Sequence, residues 1–114
     1  MKWYLAKLVF HIVCGNGKHT PQFDEQLRLI YAEDDLHAFH KARKIGEQEN
    51  ADEIVIPVKW KFIDVSELHL LAELTDGAEI YSGIKEEDNA ELYISNIKRR
   101  ATGLLQNSLQ EFAA

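Results

Sequence analysis

The chain has 114 residues, of which 46% are hydrophobic and 28% charged, and its formal net charge is −6. That balance suits one globular domain spanning 1–114, long enough to bury roughly two-thirds of its unfolded surface without cross-links. The acidic charge works against non-specific nucleic-acid binding, and no apolar run reaches the roughly 20 residues that a membrane helix needs.

Trp3 to Val13 reads as the first strand. Tyr4, Ala6, Leu8, Phe10 and Ile12 share one face; Trp3, Leu5, Lys7, Val9, His11 and Val13 share the other. Both faces are largely apolar, so the outer one needs a cover. That cover is either a loop or tail of the same chain, or a second subunit resting on Trp3, Leu5, Lys7, Val9 and His11. The start MKWYLAKLVF has no continuous apolar segment and no small-residue cleavage site, so no signal peptide is expected. Cys14 is the single cysteine, which excludes an internal disulfide and makes the cytoplasm the expected compartment.

CGNGKHTPQ, residues 14–22, is a loop with a turn signal at Asn16-Gly17 and an extended exit at Thr20-Pro21. It is no phosphate-binding loop, because Ile12 stands where the first glycine belongs and His19 replaces Ser or Thr. His11, Cys14 and His19 could reach one metal, but a polar turn explains them as well.

FDEQLRLIYA, residues 23–32, is the second strand. Leu27, Leu29 and Tyr31 are expected to face in and Gln26 and Arg28 out, with Ile30 an exception. Asp34 or Asp35 then caps a helix to about Gln48, whose buried stripe is Ala38, Phe39, Ala42, Ile45 and Gly46. His37 and His40 are neighbours on that helix and could chelate a metal, yet no further ligand accompanies them.

The third strand, Val58 to Leu68, points Val58, Trp60 and Phe62 one way and Lys59 and Lys61 the other. Ile54 and Ile56 extend its apolar face, and Pro57 suggests an edge, a bulge or a late start. Trp60 and Phe62 are the expected centre of the core, where burying one aromatic stabilises by roughly 1.5–3 kcal/mol. The helical connection before this strand permits parallel pairing with the second. Leu68, Leu70, Leu71 and Leu74 read as a short helical turn or loop, Asp76-Gly77 as a turn, and Ala78 to Ile84 as a fourth strand. Asp88 or Asn89 caps a last helix from Ala90 to about Asn107, with Ala90, Ile94, Ile97, Ala101, Leu104 and Leu105 as its stripe.

The resulting expectation is an α+β two-layer sandwich. Its four-stranded, mainly antiparallel sheet carries two helices on one face in the order β-β-α-β-β-α, a permuted ferredoxin-like arrangement.

WYLAKLVF, QFDEQLRLI, WKFIDVSEL and DGAEIYS, spread over most of the chain, resemble a small bacterial family, domain of unknown function 4288. The resemblance implies a small stand-alone domain without an assigned activity and supplies no catalytic residues.

Nucleophile elbows, metalloprotease helices and dinucleotide glycine patterns are missing from the sequence. The acids Asp64 and Glu67 suit strand-end solvation and capping, and Cys14 is a reactive thiol only if a neighbour lowers its pKa. The balance is against an enzyme, and no cofactor is expected. The expected function is a non-enzymatic interaction module that self-associates, as a homodimer, through the open face of the sheet. The alternative is a small-ligand binder or enzyme whose pocket, lined by Trp60 and Tyr81, forms where two sheets meet. A nucleic-acid site at Lys98, Arg99 and Arg100 is disfavoured, since a basic helix run is usually a solvated face.

Overall fold

The structure is a computed structural model that describes residues 1–16, 18–49 and 58–113, with side chains described through residue 107. Its elements are β1 (Lys2–Cys14), β2 (Gln22–Ala32), α1 (Asp35–Gln48), β3 (Val58–Leu71) and α2 (Ala90–Ala113). They fall into two compact units, Met1–Tyr81 and Ser82–Ala114.

In the first unit the sheet has three strands in the order β2-β1-β3, all antiparallel. β1 is central and pairs its backbone with β2 on one side and β3 on the other. β1 and β2 pair along their length, from Lys2 against Ala32 to Ile12 against Gln22. β3 runs beside β1 from Cys14–Val58 to Trp3–Leu71, with register shifts between Lys7 and Leu8 and between Val9 and Phe10. These shifts leave Ile63 and Ser66 without a partner on β1, as β-bulges do.

α1 lies on one sheet face. Asp34 caps it, its carboxylate accepting from the His37 backbone N–H at 2.8 Å. Ala38, Ala42 and Gly46 form the buried stripe, so the helix approaches the strands closely. Beneath it Tyr4, Ala6, Leu8 and Phe10 of β1 join Ile30 and Ala32 of β2 as the core, with Ile45, Phe62, Val65 and Leu68 packed at its margin.

Several expectations are corrected here. The sheet has three strands, so neither the four-stranded sandwich nor the permuted ferredoxin-like order describes it. Ala78–Ile84 forms no ladder; its Tyr81 instead stands over Lys7 and His69, above a sheet face. β3 pairs antiparallel with β1 and has no parallel contact with β2. It also absorbs Leu68, Leu70 and Leu71, which continue the strand. The core centres on Tyr4, Leu8, Phe10 and Ile30; Phe62 is at its margin and Trp60 is 37% exposed. On β2, Ile30 faces the core, while Leu27, Leu29 and Tyr31 face the opposite side. The readings of Asn16-Gly17, Ile54, Ile56 and Pro57 rest on residues 17 and 50–57, outside the described residues.

In the second unit Asn89 caps α2, its side-chain oxygen accepting from the Leu92 N–H at 3.0 Å. The helix extends past the expected end near Asn107 to Ala113. Ile94, Ile97, Leu104 and Leu105 of its apolar stripe are exposed.

Candidate functional site

Strand alternation sends Trp3, Leu5, Lys7, Val9 and His11 to the sheet face away from α1. Across the register stand Tyr31, Leu29, Leu27, Glu25 and Phe23 of β2. Phe23, Leu27, Leu29 and Tyr31 are 40–54% exposed, and Trp3 is 39% exposed. Two ring pairs close the ends of this stripe. Trp3 and Tyr31 lie 4.7 Å apart, and His11 stacks on Phe23 at 5.0 Å. Their mutual contact holds each ring upright on the sheet, as cross-strand aromatic pairs do.

The β1–β3 half of the same face is covered. Leu5 is 4% exposed and Leu71 is 8% exposed. Past β3 the chain turns at Thr75–Ala78, where the Ala78 N–H donates to the Thr75 carbonyl at 3.0 Å and Gly77 takes φ 81°. It then brings Tyr81 back over the sheet, 5.4 Å from the His69 ring and 5.9 Å from Lys7 Nζ.

Under Tyr81 lies a charged group. Lys7 Nζ sits 2.6 Å from Glu67 Oε2, and His69 Nε2 lies 3.7 Å from the other Glu67 oxygen. His69 Nε2 is buried and has no hydrogen-bond partner among the described residues. The hydrogen bond from Lys7 pulls the Glu67 carboxyl below its usual range, and the same bond raises the Lys7 ammonium. On the other face Arg43 grips Asp64 with two hydrogen bonds of 2.9 Å, which lowers the Asp64 carboxyl and raises the Arg43 guanidinium. General bases work best with pKa values near the operating pH. Each of these shifts moves away from neutrality and favours the charged form of the pair.

Of the residues singled out in the sequence, Trp3, Lys7, Val9 and His11 reach the open face at least in part, and Leu5 is beneath it. Trp60 and Tyr81 stand on opposite faces of the sheet. Trp60 shares the α1 side with Phe62 and donates from Nε1 to Asp24 at 3.2 Å, so within one chain the two rings do not face each other. His19 Nε2 accepts from the Cys14 N–H at 3.0 Å, which fixes the proton on Nδ1 facing the Thr20 carbonyl. That nitrogen closes the loop. His37 accepts from the Glu33 N–H, and His40 lies edge-on to Phe39. Among the described residues no three His, Cys, Asp or Glu groups gather as a metal site. In the second unit a depression of about 380 Å³ is lined by Lys85, Asp88, Tyr93 and Arg100, among others.

Sequence reasoning missed the β2 half of the open face. The available signal was Ile30 together with Ala32, which share one parity and match the small and apolar α1 side of β1.

A family model described as Domain of unknown function (DUF4288) matches residues 3–82. The chain belongs to the DUF4288 family. The matched DUF4288 region holds the whole sheet, α1, the apolar stripe and the Lys7–Glu67–His69 group. No curated protein and no solved structure matches the chain. Among the described residues no helix is long and apolar enough to cross a membrane.

Proposed function

We propose that this DUF4288 protein is a non-enzymatic interaction module that self-associates, as a homodimer, through the open face of its sheet. One observation carries the reading. Trp3, Tyr31, Leu29 and Leu27 form an apolar stripe, with Phe23 beyond Glu25, that carries ring pairs at both ends and is left exposed at the outer half of the sheet. Apolar patches of this kind mark association surfaces, and rigid aromatic anchors supply most of the energy at such surfaces. The Lys7–Glu67 ion pair on the same face supports a binding role over a chemical one. A net charge of −6 disfavours a nucleic-acid partner. The unpaired Cys14 suits a reducing cytoplasm.

Sedimentation equilibrium tests the proposal. A concentration-dependent dimer is expected for the native chain, and Leu27→Glu or Leu29→Lys should shift it toward monomer. A chain that stays strictly monomeric at high concentration overturns the reading.

A further inference from the structure

We infer that two copies join edge to edge along β2, in the one register that places the two-fold axis on Gln26. This rests on the self-association proposed above and places the contact at the β2 border of the open face, where Phe23, Leu27 and Leu29 stand, with Trp3 on the central strand outside it. β2 is an outer strand of 11 residues, QFDEQLRLIYA, without glycine or proline to interrupt a ladder.

On its α1 side three polar side chains are laid end to end. Gln26 Nε2 donates to Asp24 Oδ2 at 2.6 Å, and Arg28 Nε and Nη2 donate to Gln26 Oε1 at 3.2 and 2.7 Å. The row runs acid, amide, base along the strand, with Glu49 also paired to Arg28 at its basic end. On the other side Phe23, Leu27 and Leu29 are half-exposed, while Val9 on β1, with a strand on both flanks, is less so. A strand added along the free edge would cover that missing flank.

The register follows from backbone geometry. Along an antiparallel edge alternate residues point their N–H and C=O outward, so symmetric pairing matches residues of equal parity and sets the axis on a residue. An axis on Glu25 sets that carboxylate against its own copy, and an axis on Arg28 does the same with two guanidiniums. Like charges directly opposed destabilise a ladder. Glu25 faces a leucine of the partner whether the axis is on Gln26 or on Leu27, but an axis on Leu27 also leaves Asp24 facing the partner's Ile30. An axis on Gln26 pairs Asp24 with the partner's Arg28 twice and Phe23 with the partner's Leu29 twice. The same charges that block two registers favour this one.

Two measurements on the full chain test it. In a Cys14→Ser background, single cysteines replace Glu25, Gln26 or Leu27, and mild oxidation is followed on a non-reducing gel. Gln26→Cys should cross-link at least about fivefold faster than the others, since directly opposed residues meet disulfide geometry and diagonal ones do not. Separately, Asp24→Arg and Arg28→Asp should each weaken the dimer by about tenfold, and the two together should restore it. Arg28 also pairs with Glu49, so circular dichroism verifies each fold, and the cysteine series decides where a variant fails to fold. A dimer that cross-links best at position 25 or 27, or that the double reversal does not restore, overturns this register and leaves self-association standing. A monomeric native chain overturns both.

Discussion

Asp64 and Glu67 are acids whose partners decide their ionisation. The guanidinium of Arg43 and then the Val65 N–H hold the Asp64 carboxyl down; Lys7 does the same for Glu67. A carboxyl depressed in the folded chain binds fewer protons than the unfolded chain does on acidification. Its stabilisation is complete above the unfolded pKa, near 4 for an ordinary carboxyl, and is lost as pH falls through the folded value. Lys7 runs oppositely: its raised folded value gives stability below the unfolded pKa, near 10.4, which is lost as pH rises through the folded value. Both exposures are substantial, so solvent screens the pairs and the effect is modest. Urea midpoints should therefore fall between pH 7 and pH 3, and Asp64→Asn with Glu67→Gln should flatten that slope. An unchanged slope in the double variant would place the acid sensitivity elsewhere.

The elements differ in how plainly the sequence announces them. β1, β2 and α1 follow single periods, and Asp34 marks the helix start. β3 does not. Its bulges at Ile63 and Ser66 put Phe62, Val65 and Leu68 on the core side at three-residue steps. Three-residue spacing imitates a helix, so the run after Phe62 loses its strand signature. The stretch from Ala78 does alternate, but it joins no ladder, and Tyr81 lies over a face instead. The stripe on β2 was hidden for a related reason: apolar residues occupy both parities, and the larger set faces outward. The meeting of α1 and β3 gives a test at this scale. A Cβ on Gly46 would press into the Phe62 ring, far inside van der Waals limits. Alanine gains about 1 kcal/mol of helix propensity over glycine. Overpacking a tight interface costs about 1–3 kcal/mol, so Gly46→Ala should lose stability on balance. Urea unfolding of Gly46→Ala should show the loss, and adding Phe62→Leu should recover part of it. A Gly46→Ala chain more stable than the native one would mean that Phe62 has room to turn aside.

At the scale of the molecule, two independent boundaries coincide. The family match ends at residue 82, and the two compact units divide between Tyr81 and Ser82. One reflects which sequence positions recur together, the other which atoms pack together. Their agreement implies that 1–82 is the folding unit. Among the described residues the buried core lies within it, as do the three strands, the α1 stripe and the edge of β2. A chain of about 80 residues buries somewhat over 60% of its unfolded surface, which is enough for a marginally stable domain. A fragment ending at Ser82 should therefore unfold in one cooperative urea transition, with a midpoint close to that of the full chain. Its m-value should be no larger than that of the full chain, because m grows with the surface exposed on unfolding. It should also keep the dimer, since the stripe and the Asp24–Gln26–Arg28 row are both retained. A fragment that is unfolded, or that shows no cooperative transition, would mean that residues 83–114 belong to the same folding unit despite both boundaries. A folded fragment that has lost the dimer would move the association surface to that segment, where Ile94, Leu104 and Leu105 are exposed.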